Sequence, residues 1–464
     1  MHLIQDGIIL YNPADKKVSL KKRPGLLKHL DVGTGAPIDG VHWFEAQSAV
    51  IIVSAGRIFK ITDANGTFSE ITSTTLLPGQ KCTFADVWDQ INGETRLFIA
   101  NGTSIIWTNG TTTTSVAGGI APARCTHVSQ MDTYLVFNDL DTPGFWKHSA
   151  EGDPTNMTPG LARTMAAQRI PDEVIGIFVR SNVVYICGTR SIELFQNTGD
   201  AIPFASMGST VDTGIVNKDA FSILDGQVFL FNQNRQLINL NGYTPTIKSN
   251  SYQLEIDQLG AVTDLDMQTI SAIGGRQYVL LNFNDQQRTF VYDILLDCFY
   301  EWGHWNTATN EYDMFKGRGY TYAKPWGQHL IGDNTTGKVY LMSPNYKDDD
   351  GDPIKALFEF GRKDHGTKSY KLSNSLYLDI RRGDGLAATP HTAAKVQLYW
   401  RDNGEKAYGN FVEISLGKLG EYALPPRLSR LGRYRDRQYK IVAGDTADFV
   451  LNGIEEDVFD TGRL

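Results

Sequence analysis

Ala49-Val-Ile-Ile-Val-Ser-Ala-Gly-Arg-Ile-Phe-Lys-Ile61 is an apolar strand, a two-residue turn and a second apolar strand. The pattern predicts a β-hairpin. Arg96-Leu-Phe-Ile-Ala-Asn-Gly-Thr-Ser-Ile-Ile-Trp107 repeats the shape around Asn101-Gly102, and further hairpins begin near Tyr134, Val183, Val228, Tyr278 and His329. One mid-strand residue from each, Ile52, Ile99, Val136, Tyr185, Phe229, Val279 and Ile331, gives steps of 47, 37, 49, 44, 50 and 52 residues. A unit recurring every ~40–50 residues has the spacing of β-propeller blades. A four-stranded blade cannot bury both faces alone, so such units stack about an axis. The spacing predicts an all-β propeller of six or seven blades, seven being preferred. An irregular β-sandwich or solenoid is the alternative, since WD and kelch signatures are absent.

After Tyr340-Leu-Met the texture changes. Asn345-Tyr-Lys-Asp-Asp-Asp-Gly-Asp-Pro353 is polar and turn-rich. Beyond it, Ser375–Ile380, Ala394–Trp400, Phe411–Leu416, Gln438–Val442 and Phe449–Leu451 alternate apolar with polar residues, the pattern of a small antiparallel sandwich. The expected division is a propeller over 1–343, a linker over 344–355 and a β-sandwich-like domain over 356–464. One short helix is expected around Leu161 to Arg169, ended by Pro171.

Composition limits function. The chain has 464 residues, 41% hydrophobic and 21% charged, with 44 basic against 52 acidic side chains and a net charge of −8. That balance argues against a general nucleic-acid coat, while leaving room for a local basic patch or for an acidic conduit along which DNA slides. A run of 18 apolar residues is absent, so no membrane insertion is expected. The start lacks a secretory pattern. Cys82, Cys125, Cys187 and Cys298 show no CxxC spacing and read as buried free thiols. Asn65-Gly, Asn101-Gly and Asn109-Gly read as turns despite their glycosylation-like Thr. A reducing cytoplasm is the compartment these features imply.

Catalytic signals are sparse. The histidines form no HxxxH or HExxH pair, and there is no Walker loop or GxSxG elbow. Gly33-Thr-Gly35 lacks the context of a phosphate loop. In Asp348-Asp-Asp-Gly-Asp352 the Gly falls too early for a calcium loop, so a solvated linker is preferred. Asp402-x-Gly404 loosely matches the Asp-box turn of sialidases. No catalytic residue, metal site or cofactor is assigned, and no enzyme is expected. The alternative is a propeller glycan-binding module or glycosidase, with Trp302 and Trp305 of Glu301-Trp-Gly-His-Trp305 as a sugar platform; core packing explains them equally well.

The strongest charge feature is Arg427-Leu-Ser-Arg-Leu-Gly-Arg-Tyr-Arg-Asp-Arg437. Arg427, Arg430, Arg433, Arg435 and Arg437 are candidates for an interface or DNA channel. The last three alternate and would share one strand face. Guanidinium forks suit carboxylates or phosphates; a solvated strand paired with Glu421 and Asp436 is the alternative. Lys16, Lys17, Lys21, Lys22 and Arg23 read as a second, solvated basic face.

Several stretches resemble the packaged-DNA stabilisation proteins of short-tailed bacteriophages, also called tail hub or nozzle proteins. Tyr11-Asn-Pro13 followed by Arg23-Pro-Gly-Leu26 is similar to the family's opening. Pro171-Asp-Glu-Val-Ile-Gly-Ile177 leads into Val184-Tyr-Ile-Cys-Gly-Thr-Arg-Ser-Ile-Glu-Leu-Phe-Gln-Asn-Thr-Gly199, the most specific match. Gly242–Ser249, Tyr252–Ile256 and Leu431–Arg437 follow in the expected order. The chain departs by having little leader before the first motif. The resemblance implies a non-enzymatic virion tail protein, a homohexamer below the portal and head-to-tail adaptor. It implies a ring that retains packaged DNA, lines its exit channel, carries tailspikes or fibres, is plugged by a needle or tip protein, and is assembled in the host bacterial cytoplasm.

Overall fold

The computed structural model describes residues 3–12, 17–167, 170, 172–422 and 426–462. Among these, seven four-stranded antiparallel units follow one another as blades. Their inner strands are Ile38–Phe44, Thr83–Asp89, Val128–Met131, Gly176–Arg180, Phe221–Leu224, Leu265–Ile273 and Gly317–Ala323. The second strands, from Ala49–Ser54 in blade one to Gln328–Asp333 in blade seven, contain all seven residues chosen from the sequence. A second strand packs between neighbouring blades on both faces, so Val50, Ile51, Ile52 and Val53 are all fully buried. Blade seven abuts blade one, where the Trp43 amide donates to Thr321 Oγ1 at 3.1 Å.

The fourth strand of blade seven comes from the other end of the chain. Gly25–Asp31 pairs with Lys338–Ser343, Leu26 opposite Met342. This differs from the expected 1–343 propeller, because the residues before Gly25 lie outside it. Leu3–Gln5 runs parallel to the outer strand of blade six (Cys298–Asn306) and antiparallel to Ala356–Glu359. It thereby joins blade six to a sandwich sheet containing Arg437–Ala443, Ala394–Asp402 and Asn410–Gly417. Gly7–Asn12 and Lys17–Lys22 enter the facing sheet with Val450–Asp460, Lys371–Ile380 and Arg427–Tyr434. One continuous core links the two bodies, with Trp302 and Phe315 of the propeller and Phe358, Leu376 and Phe449 of the sandwich.

The seam corrects two expectations. Arg23 is 2% exposed, donates to Asp6 Oδ1 at 2.7 Å and forks onto Asp349 at 2.5 and 3.0 Å. Lys22 is buried with its ammonium on the Asp445 carbonyl at 2.5 Å. The basic run is therefore partly structural, because its strand turns inward at the joint; Lys16 lies outside the described residues. The stretch 344–355 is no solvated linker either. Asp348–Asp349 pairs with Asp352–Pro353, and Asp349 sits beside Leu26. Its acids point apart, Asp349 to Arg23, Asp350 to Lys338 and Asp352 to Lys316, so they make no calcium loop.

The expected helix at 161–169 is also corrected. Arg163–Ala166 is the outer strand of blade three, paired with Phe145–His148, and this tertiary pairing overrides local propensity. Arg169 and Pro171 lie outside the described residues. The α-helix that does form, Gln253–Asp257, is a single short turn between blades five and six.

Candidate functional site: the axial cavity and the arginine edge

All seven inner strands contribute to one cavity of about 380 Å³ on the propeller axis. Its walls mix Phe84, Phe178, Phe221 and Ile223 with the polar Asp39, His127, Gln268 and Arg318. A polar pocket of about 530 Å³, lined by Lys81, Lys218, Asp219, Asp266 and Arg318 among others, adjoins one end. There the charges are paired. Lys81 before the inner strand of blade two bonds Asp266 of blade six at 2.5 Å and the Met267 carbonyl at 2.6 Å. Lys218 pairs with Asp219 at 2.6 Å, and Arg318 lies 3.6 Å from Asp39. Blades two and six are three steps apart, so Lys81–Asp266 is a chord across the mouth.

Burial in the cavity wall moves two titrating groups. Burial pushes the Asp39 carboxyl up to about 6, against the pull of Arg318 and the Gly79 amide. Burial, with Lys218 and Lys81 nearby, pushes His127 down to about 3, so its ring is neutral. Among the described residues, no group of three or more His, Cys, Asp or Glu is placed to hold a metal ion.

The arginine run divides in two. Arg427–Tyr434 is the edge strand of its sheet, next to Lys371–Ile380, and a turn separates it from Arg437–Ala443. Arg433, Arg435 and Arg437 therefore do not share one strand face. Arg437 is a correction: it is 1% exposed, forks onto both oxygens of Asp402 at 2.7 Å each and donates to the Leu431 carbonyl at 2.7 Å. It holds a hairpin inside the domain and is unavailable to a partner. The Asp-box-like turn supplies its counter-ion, which the sequence concealed because Asp402 lies far upstream.

Arg427, Arg430, Arg433 and Arg435 are exposed. Among the described residues none has a carboxylate within ion-pair distance. Arg433 and Arg435 lie over Tyr370 at 4.7 and 4.6 Å, and Arg433 also donates to Thr461 Oγ1 at 3.0 Å. Arg427 lies 5.2 Å over Tyr377. Stacking holds these forks in place without neutralising them. Sequence reasoning missed the apolar row beside them. Leu372 lies opposite both Arg433 and Phe459, and these two apolar side chains are 41% and 55% exposed.

Trp302 and Trp305 do not form one shared platform. Trp302 is 1% exposed in the shared core, and Trp305 has Lys355 3.4 Å over its ring and Tyr312 against its edge.

Residues 12–347 match the phage stabilisation family described as Bacteriophage P22 Gp10, beta-propeller. The chain belongs to that family. Its role is that of a phage structural protein, with the propeller named in the family description as its larger part. No curated protein matches it. Among solved structures it is similar to the Cps50 (Swd1) β-propeller domain of Myceliophteria thermophila, at 7% identity and TM-score 0.44 over 68% of this chain and 99% of that one. It is also similar to BamB from Moraxella catarrhalis, at 12% identity and TM-score 0.38 over 73% and 96%. No helix among the described residues is long and apolar enough to cross a membrane.

Proposed function

We propose that this member of the phage stabilisation family is the hexameric tail hub or nozzle below the head-to-tail adaptor. In this reading it is assembled in the host cytoplasm, retains packaged DNA, lines the exit channel, and anchors tailspikes or fibres and a needle or tip protein. The family match over most of the chain carries the reading. The axial cavity supports one detail: its small volume and the Lys81–Asp266 chord leave no path for a duplex through a single propeller. The DNA path therefore runs between copies, and Arg427, Arg430, Arg433 and Arg435 are the side chains offered to partners or to that path.

Electron microscopy of the purified chain, alone and mixed with a portal–adaptor assembly from the same phage, tests this. A six-fold ring capping the adaptor is expected. A chain that stays monomeric and leaves the adaptor bare would overturn the hub reading.

A further inference from the structure

The arginine edge has a counterpart on the same molecule, half a ring away. The sandwich is fastened at blades six and seven, so blade three lies on the opposite flank. There an apolar groove of about 500 Å³ runs along the outer strand Arg163–Ala166, walled by Ile120, Pro159, Ala162, Met165, Ala166 and Ile202. Ile202 and Leu161 are 54% and 60% exposed. The turn carrying Ile202 also carries exposed Asp200, and Asn197 ties that turn to exposed Asp132 at 2.7 Å. Glu151 stands nearby; burial first, and then Glu151 and Asp132, raise the Tyr134 hydroxyl. Among the described residues, Asp132, Glu151 and Asp200 have no cation within ion-pair distance. Arg163 is the one basic wall of the groove.

The two faces match in kind. The sandwich presents Leu372 and Phe459 beside arginines that lack carboxylates, and blade three presents an apolar groove beside carboxylates that lack cations. An apolar centre with an arginine margin is the composition of a protein interface, whereas a phosphate backbone would leave Leu372 and Phe459 without a partner. The faces also lie on opposite flanks of one molecule. Contact between different patches on successive copies propagates in one direction and closes as a ring when the rotation permits. We propose that the Arg427/Arg433/Arg435 face of the sandwich, with Leu372 and Phe459, docks head to tail into the blade-three groove of a second copy. This names the surfaces behind the ring reading above and rests on it.

The test is oxidative cross-linking of the full chain carrying L372C and I202C together. The expected result is a ladder of multimers that neither single variant produces. Triple reversal of Arg427, Arg433 and Arg435 to Glu should weaken association about tenfold or more, with an unchanged far-ultraviolet spectrum. Adding D132R and D200R to that variant should restore association. Rings seen by microscopy without a ladder would overturn these surfaces while leaving the hub reading intact. A dimer formed by L372C alone would show a symmetric contact and overturn the head-to-tail arrangement. Short duplex DNA bound by the parent and lost in the triple variant, with self-association unchanged, would reassign the arginines to phosphate. Absence of both ladder and ring would overturn this inference and the hub reading together.

Discussion

Lys81 of blade two and Asp266 of blade six meet at 2.5 Å across the mouth of the axial cavity, and the same ammonium bonds the Met267 carbonyl at 2.6 Å. One side chain thus ties together blades that do not touch as neighbours. K81A leaves a mostly buried carboxylate without its cation and should cost on the order of 1–3 kcal/mol. The combined K81M/D266N change, which removes both charges, should cost less than the sum of the single changes. Urea midpoints of the parent, K81M, D266N and K81M/D266N measure the coupling, and a sum without interaction would show that the chord contributes nothing to stability.

Arg437 and its neighbours should separate cleanly in mutagenesis. R437A strands Asp402 and opens the hairpin, with an expected loss of about 3–5 kcal/mol. R437K should recover little, since an ammonium cannot fork onto two carboxylate oxygens. Single changes of Arg427, Arg430 or Arg435 to Ala should each shift stability by no more than about 0.5 kcal/mol. Thermal melts of the full chain distinguish the two classes.

The pH dependence carries two opposing contributions from the axial cavity. Asp39 has a folded value near 6 against an ordinary 3.8. Its protonated form is favoured by the fold, so its contribution is complete below 3.8 and is lost as pH rises through about 6. D39N should gain about 1–3 kcal/mol over the parent above that range and nothing below it. His127 has a folded value near 3 against 6.5, so its contribution is complete above 6.5 and is lost as pH falls toward 3. H127Q should flatten the acid limb, where the parent loses about 1.4 kcal/mol per pH unit from this ring. Melts of both variants across the acid and neutral range check the two signs.

Thiol chemistry should follow burial. Cys82, Cys125 and Cys187 are buried and raised by it, whereas Cys298 is half-buried and pushed to about 11. A thiol reagent at neutral pH should label Cys298 first and slowly, with the other three reacting only in denaturant. Rapid labelling of all four in the folded protein would contradict the packing described.

The blades were legible because their second strands are buried on both faces. Ile51 to Val53, Phe98 to Ala100 and Leu280 to Leu281 stand out as uninterrupted apolar runs. Inner strands turn Asp39 or Gln268 toward the axis, and outer strands such as Arg163–Ala166 are half-exposed, so neither shows a clean period. That is why Leu161 to Arg169 read as helix. The seam was illegible for another reason. Leu20 pairs with Leu451 and Arg23 with Asp349, contacts whose partners lie hundreds of residues away and leave no local trace. The arginine run showed its charge correctly, but alternation alone could not reveal the turn that sends Arg437 inward.

The strand Gly25–Asp31 completes blade seven, and Leu3–Gln5 and Lys17–Lys22 complete both sheets of the sandwich. On a ribosome these segments emerge long before their partners Lys338–Ser343, Ala356–Glu359 and Val450–Asp460. They must therefore wait for those partners while the intervening blades are made. Blades one to five pair only with strands near them in the chain, but the joint that presents the sandwich forms only once Val450–Asp460 has emerged. Products terminated before Lys338 lack that joint, so a truncated chain cannot present the sandwich at all.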